Sequence, residues 1–170
     1  MVTTITSTRT LAVNSAFMQE IKDGNPNLTK AIHQLQRACS SEEDISQLSR
    51  RLTKALNALR VELALQFALE EAYGYIEVSD SLLEDLSVAA HNTKAEHNVL
   101  YGGISELVEA AEELQYRGVE AEDELRGLID ETCRFSRQLR DHEQAENDLI
   151  DQSFDLGEQA VSTPFAHGTY

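Results

Sequence analysis

The stretch Ile45–Tyr73, ISQLSRRLTKALNALRVELALQFALEEAY, decides the fold. Ile45, Leu48, Leu52, Leu56, Leu59 and Leu63 recur at steps of three and four. That spacing places them on one face of a helix and excludes the two-residue alternation of a half-buried strand. The stripe then continues through Gln66, Glu70 and Tyr73. Two polar side chains therefore stand where the periodicity asks for apolar ones, on a face that has to be covered.

Three more stripes flank this one. Met18, Ile21, Asn25, Leu28, Ile32, Leu35 and Cys39 form the first, interrupted by Gly24-Asn25-Pro26. There Pro26 suits the first position of a helix and Asn25 its N-cap. Leu86, Ala90, Thr93, His97, Leu100, Ile104, Leu107, Ala111 and Leu114 form the third. Leu125, Leu128, Thr132, Phe135, Leu139, His142, Glu146 and Leu149 form the fourth. Ser40-x-x-Glu43 and Ser81-x-x-Glu84 have capping-box spacing and predict the starts of the second and third helices. Gly118 and Gly157 are natural stops. Glu120, Glu122, Asp123 and Glu124 suit the positive end of the fourth helix. The expected fold is all-α: an up-down-up-down antiparallel four-helix bundle over 16–157, with a flexible polar arm at 1–15 and a tail at 158–170.

At 170 residues with 41% hydrophobic content, the chain suits one domain with a sizeable core. Its formal net charge is −16, from 30 acidic and 14 basic residues. Such a surface repels phosphate backbones and anionic lipid, which argues against nucleic acid and membrane partners. No segment approaches the apolar length of a membrane span, and the Thr/Ser-rich start lacks the apolar run of a signal peptide. Cys39 and Cys133 lie far apart on apolar stripes and form no CxxC motif, so they read as buried reduced thiols. A cytoplasmic protein, monomeric or homodimeric, is the expectation.

Gln66 and Glu70 on the second seam, His97 with Thr93 on the third, and His142 and Glu146 on the fourth all need partners once buried. An unpaired buried carboxylate costs several kcal/mol, roughly, even after relaxation. Each i, i+4 pair stacks on one helix face. Folding back near Gly118 brings His97 level with His142. One divalent cation would satisfy two imidazoles and two carboxylates together; a hydrogen-bonded polar layer without metal is the alternative. His33 lies beside the seam, His91 off it as a reserve candidate, and His167 in the tail.

Gln66-Phe67-Ala68-Leu69-Glu70-Glu71 resembles the H-F-x-x-E-E motif of hemerythrin-like (HHE cation-binding) domains, with Gln in place of the motif's His. Glu96-His97-Asn98-Val99-Leu100 resembles their E-H-x-x-L segment, and His142-Glu143-Gln144-Ala145-Glu146 their final H-x-x-x-E. Asn25-x-x-Leu28 falls where their first H-x-x-L is expected. The resemblance spans roughly residues 17–156 and implies a four-helix bundle around two irons with bridging carboxylates. It implies Glu70 and Glu146 as those bridges and His97 and His142 as terminal ligands of one iron. Asn25 and Gln66 stand where the other iron's His ligands belong, and Thr93 where the oxygen carriers have a further His. Amides are poorer iron ligands than imidazole.

The metal set read from the chain is therefore Glu70, His97, His142 and Glu146, with Asn25, Gln66 and Thr93 as outer or substituted ligands. The ion is iron or another divalent metal such as zinc or manganese, with one expected rather than two. The expected role is sensing, storage or small-ligand binding, with a metal-free scaffold or interaction module as the alternative. No nucleophile–base pair, phosphate loop or cofactor fingerprint marks an enzyme.

Overall fold

A computed structural model describes residues 10–78, 84–117 and 121–162. Five helices dominate: α1 Ser15–Asp23, α2 Pro26–Cys39, α3 Ile45–Leu69, α4 Glu84–Arg117 and α5 Glu122–Ser162. Two short strands, β1 Thr10–Val13 and β2 Tyr75–Val78, pair antiparallel with Thr10 opposite Val78 and Val13 opposite Tyr75.

Helix α2 packs on α3 and α5, α3 on α4, and α4 on α5. Thr53 meets the carbonyl of Ala111, while His97 lies against Glu70, so α3 and α4 run in opposite directions. Arg117 pairs with Glu124 and His142 with Glu96, so α4 and α5 do the same. Leu52, Leu59, Leu100, Leu107, Phe135 and Leu139 share one core, as their periodicity predicts. None of the described helices is long and apolar enough to cross a membrane.

Several expected boundaries move. The polar arm at 1–15 gives way to β1, all four of whose residues are buried, and to the start of α1; residues 1–9 lie outside the described residues. The reason is pairing. Thr10 and Val13 suit a pleated edge, and β1 packs on α4 with Leu11 N–H donating to Ser87 Oγ at 3.0 Å. Asn14 then caps α1 through the amide of Phe17. The box at Ser40 does not open α3, because the Ser40 hydroxyl turns back onto the Gln36 carbonyl and closes α2. Helix α3 begins after Asp44. The second box and Gly118 lie outside the described residues. Gly157 does not stop α5, which runs on to Ser162. Cys39 and Cys133 are free thiols, half-buried rather than buried. Burial and the neighbouring Cys133 push the Cys39 thiol up to about 12.

The departure that matters most follows α3 directly. Glu70–Gly74 is a π-helical turn, closed by the Tyr75 N–H donating to the Glu70 carbonyl. The wider turn shifts the helical register by a residue. Tyr73, expected on the seam, is 58% exposed, while Gly74 and Tyr75 are buried in its stead. Such turns recur where a helix is bent to serve a site. A side chain at Gly74 would collide with Met18, which fixes glycine where α1 crosses the turn.

Candidate metal centre

Glu70, His97, His142 and Glu146 converge with one potential ligand atom each, all within 4.8 Å of one another, and all four residues are buried. Glu70 comes from the π-turn, His97 from the middle of α4, and His142 and Glu146 from successive turns of α5. His97 Nε2 lies 3.4 Å from Glu70 Oε2 and 3.3 Å from Glu146 Oε1, and His142 Nε2 lies 3.4 Å from Glu146 Oε1. Bonds of about 2.1 Å in a tetrahedron would set neighbouring ligand atoms about 3.4 Å apart. Three edges of the cluster thus already have the spacing a small divalent ion requires.

The outer contacts fix which nitrogen faces inward. His97 Nδ1 lies 3.1 Å from Glu71 Oε1, and His142 Nδ1 lies 2.9 Å from Glu96 Oε2. A carboxylate only accepts, so each Nδ1 carries the proton and donates it outward. Each ring then turns its Nε2 inward onto the buried carboxylates, His97 Nε2 meeting Glu146 Oε1 at 3.3 Å, and the outer contacts brace the rings as they do in metal-bound imidazoles. Phe67 stacks on the His97 ring at 4.2 Å between centroids and meets His142 edge-on at 5.6 Å. The rings are held in place from three sides.

Two of the inward atoms have no hydrogen-bond partner: Glu70 Oε2 and His142 Nε2. Two buried carboxylates and two ring nitrogens facing one another are stable only when a cation or protons lie among them. The donor set, two imidazole nitrogens and two carboxylates in a water-poor pocket, suits zinc, iron or manganese. Without metal, protons take up the load. Burial and the charge of Glu146 push the Glu70 carboxyl up to about 9. Burial opposes ionisation of Glu146 too, but His142, His97 and Lys22 outweigh it and hold that carboxyl well below the usual range. Burial disfavours a charged His142, yet its contact with Glu146 leaves it easier to protonate than an ordinary imidazole.

Asn25 caps α2 and also faces the core. Its Oδ1 accepts from the Leu28 amide at 3.2 Å as the N-cap of α2, while its Nδ2 donates to Gln66 Oε1 at 3.1 Å. Gln66 in turn donates to Glu70 Oε1. The two amides therefore orient a carboxylate instead of meeting the imidazoles. Thr93 is buried with its hydroxyl spent on the Ala89 carbonyl of its own helix. His33 and His91 are exposed, and His167 lies outside the described residues.

Four contributors lie off the seams. Lys22 Nζ reaches Glu146 Oε2 at 2.8 Å and Glu143 Oε2 at 2.7 Å. Tyr75, delivered by the π-turn, places its hydroxyl 3.3 Å from Glu146 Oε1 as a donor. Glu71 and Glu96, adjacent to the seam residues Glu70 and His97, supply the bracing carboxylates. Of these, only Glu71 and Glu96 fall inside the motifs quoted from the sequence, which gave them no role.

Comparison with protein-family models, with curated proteins and with solved structures returned no match.

Proposed function

We propose that this chain is a hemerythrin-like, up-down-up-down bundle that binds one divalent metal ion through Glu70, His97, His142 and Glu146. A single observation carries the reading. Both buried imidazoles donate outward to carboxylates and turn Nε2 inward onto two buried carboxylates, where His97 Nε2 meets Glu146 while Glu70 Oε2 and His142 Nε2 are left without partners. Iron is the first choice on the resemblance of the motifs, with zinc and manganese as competitors for the same donors.

A bound ion would supply a Lewis-acidic position for a small ligand. The chain's own residues do the rest. Glu71 and Glu96 hold the rings, Gln66 orients Glu70, and Phe67 keeps water from the His97 face. This supports sensing, storage or small-ligand binding in preference to catalysis. Elemental analysis of protein expressed with iron, zinc or manganese in turn tests it, with close to one ion per chain expected. Metal-free protein under all three conditions would overturn it.

A second reading has an observation of its own. Lys22 already neutralises Glu146, and Glu70 can carry its own proton, so the layer can exist without metal. A metal-free helical scaffold follows from that, and the same elemental analysis separates the two.

A further inference from the structure

We propose that Lys22 is the residue that limits this centre to one ion, its ammonium filling a cation position that a second metal would otherwise take. The inference rests on the metal-binding reading above.

Glu146 has two oxygens with different duties. Oε1 faces Tyr75 and the two imidazoles, while Oε2 faces away from them and meets Lys22 Nζ at 2.8 Å. Lys22 also takes Glu143 Oε2 at 2.7 Å, and its side chain is only 11% exposed. Glu143 keeps a second buried oxygen, Oε1, with no partner. Two carboxylates thus close on one ammonium, and one of them keeps an oxygen to spare.

The groups that meet the ammonium are carboxylate oxygens of Glu143 and Glu146, donors that suit a hard divalent cation such as manganese or magnesium when the ammonium is gone. Lys22 is anchored where no solute cation can displace it. It sits in the last turn of α1, where the helix dipole favours positive charge, and α1 packs on both the π-turn and α5. A tethered ammonium satisfies Glu146 at no cost in binding a free ion. It also leaves the imidazole face as the place where an exchangeable metal binds.

Manganese titration of the full chain, followed by electron paramagnetic resonance and elemental analysis, tests this. Wild type should bind one manganese with an uncoupled signal. Lys22→Ala should bind two, with the signal of an exchange-coupled pair, and Lys22→Arg should return to one. Should Lys22→Ala fail to give a helical circular dichroism spectrum, Lys22→Gln keeps the stem and removes only the charge, and should also bind two. One uncoupled manganese in wild type and in the folded neutral variant would overturn the role of Lys22 while leaving the metal centre intact. Two in wild type would overturn it as well. No manganese, iron or zinc in wild type would overturn the metal-binding reading itself and this inference with it.

Discussion

The two sides of Glu146 solve one electrostatic problem in two ways. On one side a carboxylate oxygen meets Lys22, a cation that belongs to the chain. On the other it meets two imidazoles and a tyrosine hydroxyl, with Glu70 Oε2 and His142 Nε2 left over. The first side is complete as folded. The second is complete only when a proton or a metal joins it. The comparison teaches that buried charge alone does not mark a metal site. What marks it is a set of oriented lone pairs with nothing between them.

Removing a ligand from the open side should have the largest effect. His97→Ala or His142→Ala is expected to abolish stoichiometric metal binding in calorimetric titration, since each removes one of two imidazoles. Retained one-to-one binding in either variant would break the assignment of that ring. On the closed side, Lys22→Met leaves Glu146 buried beside an apolar stem. Urea unfolding in the presence of a chelator should show a loss of about 3–5 kcal/mol, the range for removing one partner of a buried pair. Were Lys22 solvated, its loss would cost little, so a loss below about 1 kcal/mol would count against burial of the pair.

Smaller effects come from the bracing carboxylates. Glu71→Gln and Glu96→Gln should each weaken metal binding by about 10–100-fold while the helical content stays unchanged. Equal affinity in both variants and wild type would show that the rings need no outer support.

A separate effect, read without metal, is on pH dependence. Glu70 has its pKa raised from 4.5 to about 9, so its contribution to stability is full below 4.5 and is lost as pH rises toward 9. His142, raised above 6.5, acts in the same direction. Glu146, lowered from 4.5, acts oppositely and loses its contribution as pH falls below 4.5. Chelated protein should therefore unfold more readily at pH 8.5 than at pH 5.5, and Glu70→Gln should flatten that slope. A stability that climbs steadily from pH 5.5 to 8.5 would contradict the assignment of the proton to Glu70.

The open side was legible in the sequence, and the closed side mostly was not. Helical periodicity sees a residue only when it falls on a seam, and His97, His142, Glu70 and Glu146 all do. Lys22 sits one place after the seam residue Ile21, and its long stem carries the ammonium inward from there. Nothing in the spacing of α1 announces that reach. Tyr75 escaped for a different reason. The π-turn adds a residue to the turn after Glu70, so a strict three-four count puts Tyr73 inside and Tyr75 outside, the reverse of the structure. The buried strand at Thr10–Val13 has a partner more than sixty residues away, and four residues are too few for a pattern. The dry part of the core, by contrast, rests on long helices whose every turn repeats the same signal, and there Leu52, Leu59, Leu100 and Leu139 pack together as their spacing requires.

The central claim is most directly tested by anomalous diffraction at the metal absorption edge from crystals of the full chain grown with iron. The account predicts one peak per chain, bounded by His97 Nε2, His142 Nε2 and the carboxylates of Glu70 and Glu146, with Lys22 still on the far oxygen of Glu146. A map with no peak at that point, or with the ion at the exposed His33 instead, would contradict it.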